Sequence, residues 1–127
     1  MDPNLWRWRR RVAGLRAARC GSSISANLRR DTSKAGNRPA LVVSVDKFNH
    51  GPADLVVVMP ISKAAKGIPL HVEIDPPEGG VTMRSLIKCE AIRSIAKVRL
   101  VRLMGRVSDK TIESVEDHVK ILLDLHP

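Results

Sequence analysis

The fold is decided by two apolar runs, Arg38-Pro39-Ala40-Leu41-Val42-Val43-Ser44 and Leu55-Val56-Val57-Val58-Met59-Pro60-Ile61-Ser62. Both runs have the length and the branched composition of β-strands, and the loop between them contains Asn, Gly and Pro, which predicts an antiparallel hairpin. Arg38 and Ser62 each lie twelve residues from His50, the midpoint. The hairpin would therefore bring a guanidinium and a hydroxyl together at its open end, where such a pair can bind a phosphate.

Further strands are expected on the C-terminal side of this hairpin. Alternation with a period of two predicts a strand at 70–74. The segments 85–90, 92–95 and 100–107 are strand candidates as well. A turn is predicted at 76–80, and no helix start follows Gly79-Gly80, so this pair is interpreted as a turn and not as a phosphate-binding loop.

The chain is expected to close with an amphipathic helix. Ser108 is a suitable N-cap, and acidic residues near it complement the positive end of the helix dipole. The helix carries one apolar stripe, which is expected to pack on the sheet: Ile112, Val115, Val119, Leu122 and Leu123.

Length and composition set the broad class of the protein. A chain of 127 residues suits one domain, expected over residues 20–127, with residues 1–19 as a basic extension that is poorly ordered or helical. No apolar run has the length of a membrane span, and the arginine-rich start does not match a secretory signal. Two distant cysteines indicate a reduced, cytoplasmic protein, and four scattered histidines give no ligand spacing. No metal and no cofactor are predicted.

The positive charge is weak evidence for a nucleic-acid partner because of where it lies. The formal net charge is +9, which would ordinarily suggest nucleic-acid binding. Residues 1–38 hold ten Lys and Arg against two Asp and Glu, whereas residues 39–127 hold twelve against eleven. Almost the whole excess is therefore in the N-terminal third.

Several strings of this sequence, taken in order, resemble the MazF/PemK growth-inhibitor toxins. They are RPALVVS, VVVMPIS, HVEIDPPEGG, SLIKCEAIRSI and VRLVRLMGRVS, followed by the amphipathic helix. The resemblance covers about residues 35–125. It implies an α+β fold with a small, strongly bent, SH3-like antiparallel β-barrel of the CcdB/MazF type and a C-terminal helix. It also implies a sequence-specific, metal-independent endoribonuclease of a toxin–antitoxin system.

The resemblance assigns roles to particular residues. Arg38 matches the principal catalytic arginine of the family, and Ser62 matches its hydroxyl companion. The implied mechanism is attack of a ribose 2′-OH on the adjacent phosphate, which requires RNA rather than DNA. Lys63, Lys66 and Arg93 are candidate RNA contacts. The alternative for each is an ordinary role: solvated surface residues, a strand-end cap for Ser62 and an edge salt bridge for Arg93.

The resemblance also implies partners. The expected partners are single-stranded RNA, a small MazE-like antitoxin, a second copy of the chain and operator DNA, the last mainly through the antitoxin complex. No membrane is expected. Cys89 matches a position where the family often has a buried cysteine, so it is expected to pack rather than react. Two rival functions stay open: a catalytically impaired toxin that still binds antitoxin, and a non-catalytic RNA-binding module.

The first third departs from the family pattern. The family begins with a strand resembling R-G-E-V-W-L-V-D-L, whereas this chain has serines at 22, 23 and 25. Ser33 stands where the family has a loop glutamate that is a candidate general base. We therefore expect lower stability, and weak or no cleavage, from the chain as written.

A frameshift would account for this departure. If the last base of each codon is read with the first two of the next, residues 16–34 can encode the family motif in an unbroken series. We hypothesise a shifted segment restored near residues 34–35. The alternative is ordinary divergence with an N-terminal extension, and the nucleotide sequence decides between the two.

Overall fold

The computed structural model of this protein describes residues 19–28, 36–63 and 71–125. These residues form an antiparallel sheet with a C-terminal helix. The strands are β1 (Ser22–Asn27), β2 (Asn37–Val42), β3 (Leu55–Lys63), β4 (His71–Ile74), β5 (Ser85–Lys88), β6 (Arg93–Ala96) and β7 (Leu100–Arg106), and the helices are α1 (Asp46–Asn49) and α2 (Asp109–Leu122). Residues 1–18, most of the predicted extension, lie outside the described residues.

All strand pairs are antiparallel, and β3 is the strand that joins the two parts of the sheet. The strand order is β4-β5-β3-β2-β1-β7, and β6 pairs with β3. Among the described residues this path does not close on itself. The α+β class with a C-terminal helix is thus confirmed, with an open sheet in place of a complete barrel. No helix among the described residues is long and apolar enough to cross a membrane.

The predicted hairpin is confirmed, including its register. β2 and β3 pair as Ala40 with Pro60, Leu41 with Met59 and Val42 with Val58. The two numbers of every pair are equally distant from 50, so the hairpin is centred where the lengths of the two apolar runs predict.

The connection within the hairpin contains a short helix that the sequence patterns did not indicate. α1 depends on Asn49, which is fully buried. The Asn49 side-chain amide donates to the Ser44 carbonyl oxygen at 2.8 Å, and the Val57 backbone N–H donates to Ser44 Oγ at 2.9 Å. Two side chains, those of Asn49 and Ser44, thus link α1 to β3 in sequence, which local turn propensities do not reveal.

Alternation along the strands divides the core into two clusters, one on each face of the sheet. One face carries Leu41, Met59, Ile61, Ile87 and Cys89 and is covered by α2 through Val115. The opposite face carries the second cluster, made of Ile24, Ala26, Ala40, Val42, Val56, Val58 and Ile95. The expected packing role of Cys89 is confirmed.

The closing helix begins where the sequence predicts. Ser108 Oγ accepts a hydrogen bond from the Thr111 backbone N–H at 3.2 Å. The Glu78 carboxylate accepts from the Ser108 backbone N–H at 3.1 Å and also from the Thr111 hydroxyl, which ties the helix start to the turn at 78–80. Ile112, Val115 and Val119 of the apolar stripe pack on the core as expected, whereas Leu123 is 55% exposed. That prediction was wrong because the helix ends at Leu122, and Leu123 has left helical geometry.

Strand β1 is the least expected element because it is rich in serine and yet lies inside the sheet. It pairs with β2 on one side and β7 on the other. Ser22, Ser23 and Ser25 are all buried, and the Ser23 hydroxyl donates to the Gly79 carbonyl oxygen. A strand in this place gains less from burial than an apolar one would, at ~25 cal/mol per Å² of apolar area.

Candidate active site

The sheet divides at the open end of the hairpin, a place that we call the fork. The β2–β3 ladder ends at the pair of Ala40 and Pro60. Beyond it, β2 continues alongside β1, whereas β3 continues alongside β5. Pro39 and Pro60 stand at this point, and neither has a backbone N–H to donate to a ladder. The sequence therefore contains a local reason for the two strands to part here.

Arg38 and Ser62 occupy equivalent positions at the fork. Each lies two residues beyond the last pair of the ladder, on β2 and β3 respectively. Because side chains alternate, both belong to the sheet face that carries the second cluster. Arg38 is exposed and Ser62 is half-buried. The backbone neighbour of Arg38 is Ala26, and that of Ser62 is Leu86. A ligand entering the fork would have a guanidinium on one strand and a hydroxyl on the other.

The remaining predicted contacts are distributed differently. Lys63 ends β3, is exposed, and belongs to the opposite face from Ser62 by alternation. Lys66 lies outside the described residues. Arg93 is on β6 opposite Val58, which precedes Ser62 by four residues on β3. Arg93 therefore belongs to the same face of the sheet as Ser62. Four residues correspond to roughly 13 Å along a strand.

Arg93 lies in a polar cavity with a second arginine that sequence patterns did not single out. The cavity has a volume of about 510 Å³ and is lined by Arg93, Ser94, Ile95, Ala96 and Arg99. Within the described residues neither arginine makes an ion pair. The predicted edge salt bridge at Arg93 is therefore not observed in that part of the chain. Arg99 was missed because a tight turn at 97–99, rather than strand periodicity, places it here.

The buried groups Cys89 and Lys97 also have altered pKa values. Burial, with a smaller effect from the Glu90 carboxylate, raises the pKa of the Cys89 thiol to about 11, which keeps it neutral. Burial also lowers the pKa of Lys97 to about 8, against the opposing effect of Asp54. Its ammonium lies 3.4 Å from the Gly51 carbonyl oxygen, in the loop at the other end of the hairpin. These groups therefore support the structure around them.

His71 and Glu90 form a polar pair on the β4–β5 side of the sheet. His71 Nε2 is 2.9 Å from Glu90 Oε1, and the histidine side chain is 3% exposed. Burial acts to raise the pKa of Glu90, but the hydrogen bond to His71 and a backbone hydrogen bond together lower it. Across the described ranges, no group of three or more His, Cys, Asp or Glu residues could hold a metal ion. The predicted absence of a metal and a cofactor stays a prediction.

Comparison with known families decides how this arrangement is interpreted. A family described as "PemK-like, MazF-like toxin of type II toxin-antitoxin system" matches residues 21–123. The chain belongs to this toxin family. The match includes β1, the fork and α2.

Relatives within the PemK/MazF-like family carry enzyme names. The chain is 37% identical over 99 residues to endoribonuclease MazF9 of Mycobacterium tuberculosis, covering 73% of this chain and 84% of the relative. It is 32% identical over 95 residues to endoribonuclease EndoA of Bacillus subtilis, covering 74% of this chain and 82% of that protein.

Solved structures share the fold of this PemK/MazF-like chain. An endoribonuclease in complex with its cognate antitoxin from Mycobacterial species superposes with a TM-score of 0.71 at 21% identity, covering 86% of this chain and 97% of the other. A MazE–MazF structure from Deinococcus radiodurans gives 0.70 at 24% identity, covering 85% and 96%. At these identities the likeness establishes the fold, which agrees with the antiparallel sheet and C-terminal helix described above.

Proposed function

We propose that this chain is an endoribonuclease toxin that cleaves single-stranded RNA at the fork. Family membership and the enzyme names of its relatives support the class of activity. The observation that carries the assignment of the site is the equivalent placement of Arg38 and Ser62 beyond the last pair of the β2–β3 ladder. Arg93 and Arg99 line the polar cavity and add positive charge there. We propose that they bind the RNA backbone.

The proposed chemistry needs only groups that the protein and the RNA supply. The 2′-oxygen attacks the adjacent phosphorus, its proton passes to solvent, and the bond from phosphorus to the 5′-oxygen breaks. Arg38 binds the non-bridging oxygens as charge develops on them and supplies a proton to the leaving oxygen, and it takes a proton back from solvent. Ser62 donates a hydrogen bond to the phosphate. The products are a 2′,3′-cyclic phosphate and a 5′-hydroxyl.

The proposed partners follow from the family and its solved complexes. Two of the similar structures contain a toxin with its antitoxin. We therefore propose that a small MazE-like antitoxin binds this chain, that the toxin is a cytoplasmic homodimer, and that operator DNA is bound mainly through the antitoxin complex.

The test is a cleavage assay on a long single-stranded RNA in buffer containing EDTA. We expect discrete fragments with cyclic-phosphate ends, formed slowly because the loop glutamate is absent, and no cleavage of the DNA oligonucleotide of the same sequence, because DNA lacks the attacking hydroxyl. RNA that is retarded in a gel but stays intact would instead indicate the RNA-binding module. Antitoxin binding without any effect on RNA would indicate the impaired toxin, and cleavage only when a metal ion is added would contradict the proposed chemistry.

A variant in which residues 16–34 carry the family-like sequence of the other reading frame should be the better enzyme. It restores a loop glutamate near Ser33, and a positioned general base contributes about 10²-fold or more to a rate. It also replaces buried serines of β1 by apolar groups, which should raise the free energy of unfolding. Cleavage rates and urea denaturation of both chains check this. A gene in which no single-base shift produces R-G-E-V-W would refute the frameshift explanation.

A further inference from the structure

An apolar groove lies between α2 and the sheet, away from the fork. It has a volume of about 370 Å³, and its apolar lining consists of Val43, Val57, Ile92, Val115, Val119 and Leu125. Leu125 is 52% exposed, although it lines the groove. The groove therefore presents apolar surface that the described residues leave accessible to water.

The described chain begins at the edge of this groove. Cys20 Sγ lies 3.5 Å from the carbonyl oxygen of Val43, which lines the groove, and the Cys20 backbone N–H donates to Asp46 Oδ1 at 3.0 Å. The position of Cys20 is thus fixed from two sides. Cys20 consequently lies beside the groove, and residues 1–18 precede it closely in the sequence.

The sequence of that preceding segment suits the groove. Leu5, Trp8, Val12 and Leu15 follow one another at spacings of three and four residues, which places them on one face of a helix. The segment also carries five arginines, at positions 7, 9, 10, 11 and 16. A helix running from Arg19 back to Trp8 would be roughly 16 Å long, more than the roughly 8 Å of α2 between Val115 and Lys120 that line the groove.

The charge on α2 is complementary to that of the segment. Glu113, Glu116 and Asp117 are exposed on this helix; Glu116 lines the groove together with one cation, Lys120, so carboxylates outnumber cations on this part of α2. None of the three makes an ion pair within the described residues. With the apolar face of residues 1–18 in the groove, their arginines would lie close to the carboxylates of α2.

We propose that residues 1–18 bind in this groove as an amphipathic helix, with Trp8 against the apolar lining and the arginines against the carboxylates of α2. The segment then covers the apolar surface between α2 and the sheet and holds α2 in place. This binding is independent of the proposed nuclease activity, because the groove is lined by none of the residues at the fork.

The chain offers a direct probe, because Trp6 and Trp8 are its only tryptophans. In the full-length protein we expect tryptophan emission shifted to shorter wavelength, and quenching by acrylamide several-fold weaker, compared with a free peptide of residues 1–18. Leu125→Asp should return both properties toward those of the peptide. Ile121→Asp is the matched control, since Ile121 is 71% exposed and does not line the groove.

Three results would overturn the proposal. Wild-type emission equal to that of the peptide would show that the indoles stay in water. Equal effects of Leu125→Asp and Ile121→Asp, in variants with unchanged circular dichroism, would place the indoles elsewhere. A blue shift that disappears on dilution would assign the groove to a second copy of the chain. RNA cleavage, measured in the same samples, tests the nuclease proposal separately.

Discussion

Arg38→Ala should reduce RNA cleavage by about 10³-fold, the upper end of what removing one donor to a developing oxyanion costs. The reason is that the guanidinium can bind two phosphate oxygens at once as charge accumulates on them. RNA affinity should fall much less, because the other cations that we propose as RNA contacts would bind phosphates whose charge does not change during the reaction. The measurement is single-turnover cleavage of a short RNA containing one site, together with a binding titration.

Two further substitutions test whether the guanidinium at residue 38 is needed, rather than any positive charge or any exposed arginine. Arg38→Lys should recover little of the lost rate, because an ammonium lacks the planar, bidentate geometry of the guanidinium. Arg84→Ala is the matched control: Arg84 is also an exposed arginine, directly before β5, but it pairs with Glu73 and Asp75. Its loss should leave the rate within about twofold, in keeping with the small effects of surface ion pairs. Arg38→Ala with a rate close to that of Arg84→Ala would remove the fork from the mechanism.

Ser62 should matter less than Arg38. A neutral hydroxyl contributes a weaker hydrogen bond to the phosphate than a charged donor does. Ser62 is also half-buried at a strand end, so a role as a strand-end cap is the competing interpretation. The ratio of the cleavage rates with and without the Ser62 hydroxyl, in proteins of equal stability, distinguishes the two roles.

The parts of the fold that the sequence predicted are those in which local pattern and tertiary environment agree. The hairpin register follows from two runs of matched length around residue 50, and the start of α2 follows from the Ser108 cap. The fork is also implicit in the sequence, since Pro39 and Pro60 interrupt ladder donors at the place where the strands part.

The parts that could not be predicted depend on distant contacts. β1 is a weak strand by composition, and its place between β2 and β7 depends on partners distant in the chain, such as Leu41 and Gly105 on either side of Ser23. α1 depends on the buried Asn49 side chain. Arg99 reaches the cavity of Arg93 only because a turn redirects the chain. No window of local sequence contains these relations.

Gly80→Ala should cost more stability than the same substitution at any other glycine among the described residues. Gly80 has a φ of +70°, and a Cβ placed there would lie 2.2 Å from the carbonyl oxygen of Met104. The left-handed backbone costs roughly 1–2 kcal/mol for a residue with a Cβ, and forcing apart a packed contact costs about 1–3 kcal/mol more. Urea denaturation should therefore show a loss of about 2–5 kcal/mol, a large part of the stability of a typical small domain.

Gly36→Ala supplies the matched control, because nothing lies within 4 Å of a Cβ at Gly36 and its φ is not in the left-handed region. It should change the free energy of unfolding by no more than about 0.5 kcal/mol.

The effect of Gly80→Ala should reach beyond the turn at 78–80, because this turn joins three elements. Gly80 lies against β7, the Gly79 carbonyl oxygen accepts from Ser23 of β1, and the Glu78 carboxylate holds the first turn of α2. A displaced turn should therefore loosen the serine-rich strand and the helix start together, and amide exchange in β1 and at the start of α2 should accelerate in parallel. Faster amide exchange in β7 alone would mean that the turn does not couple β1 to the start of α2.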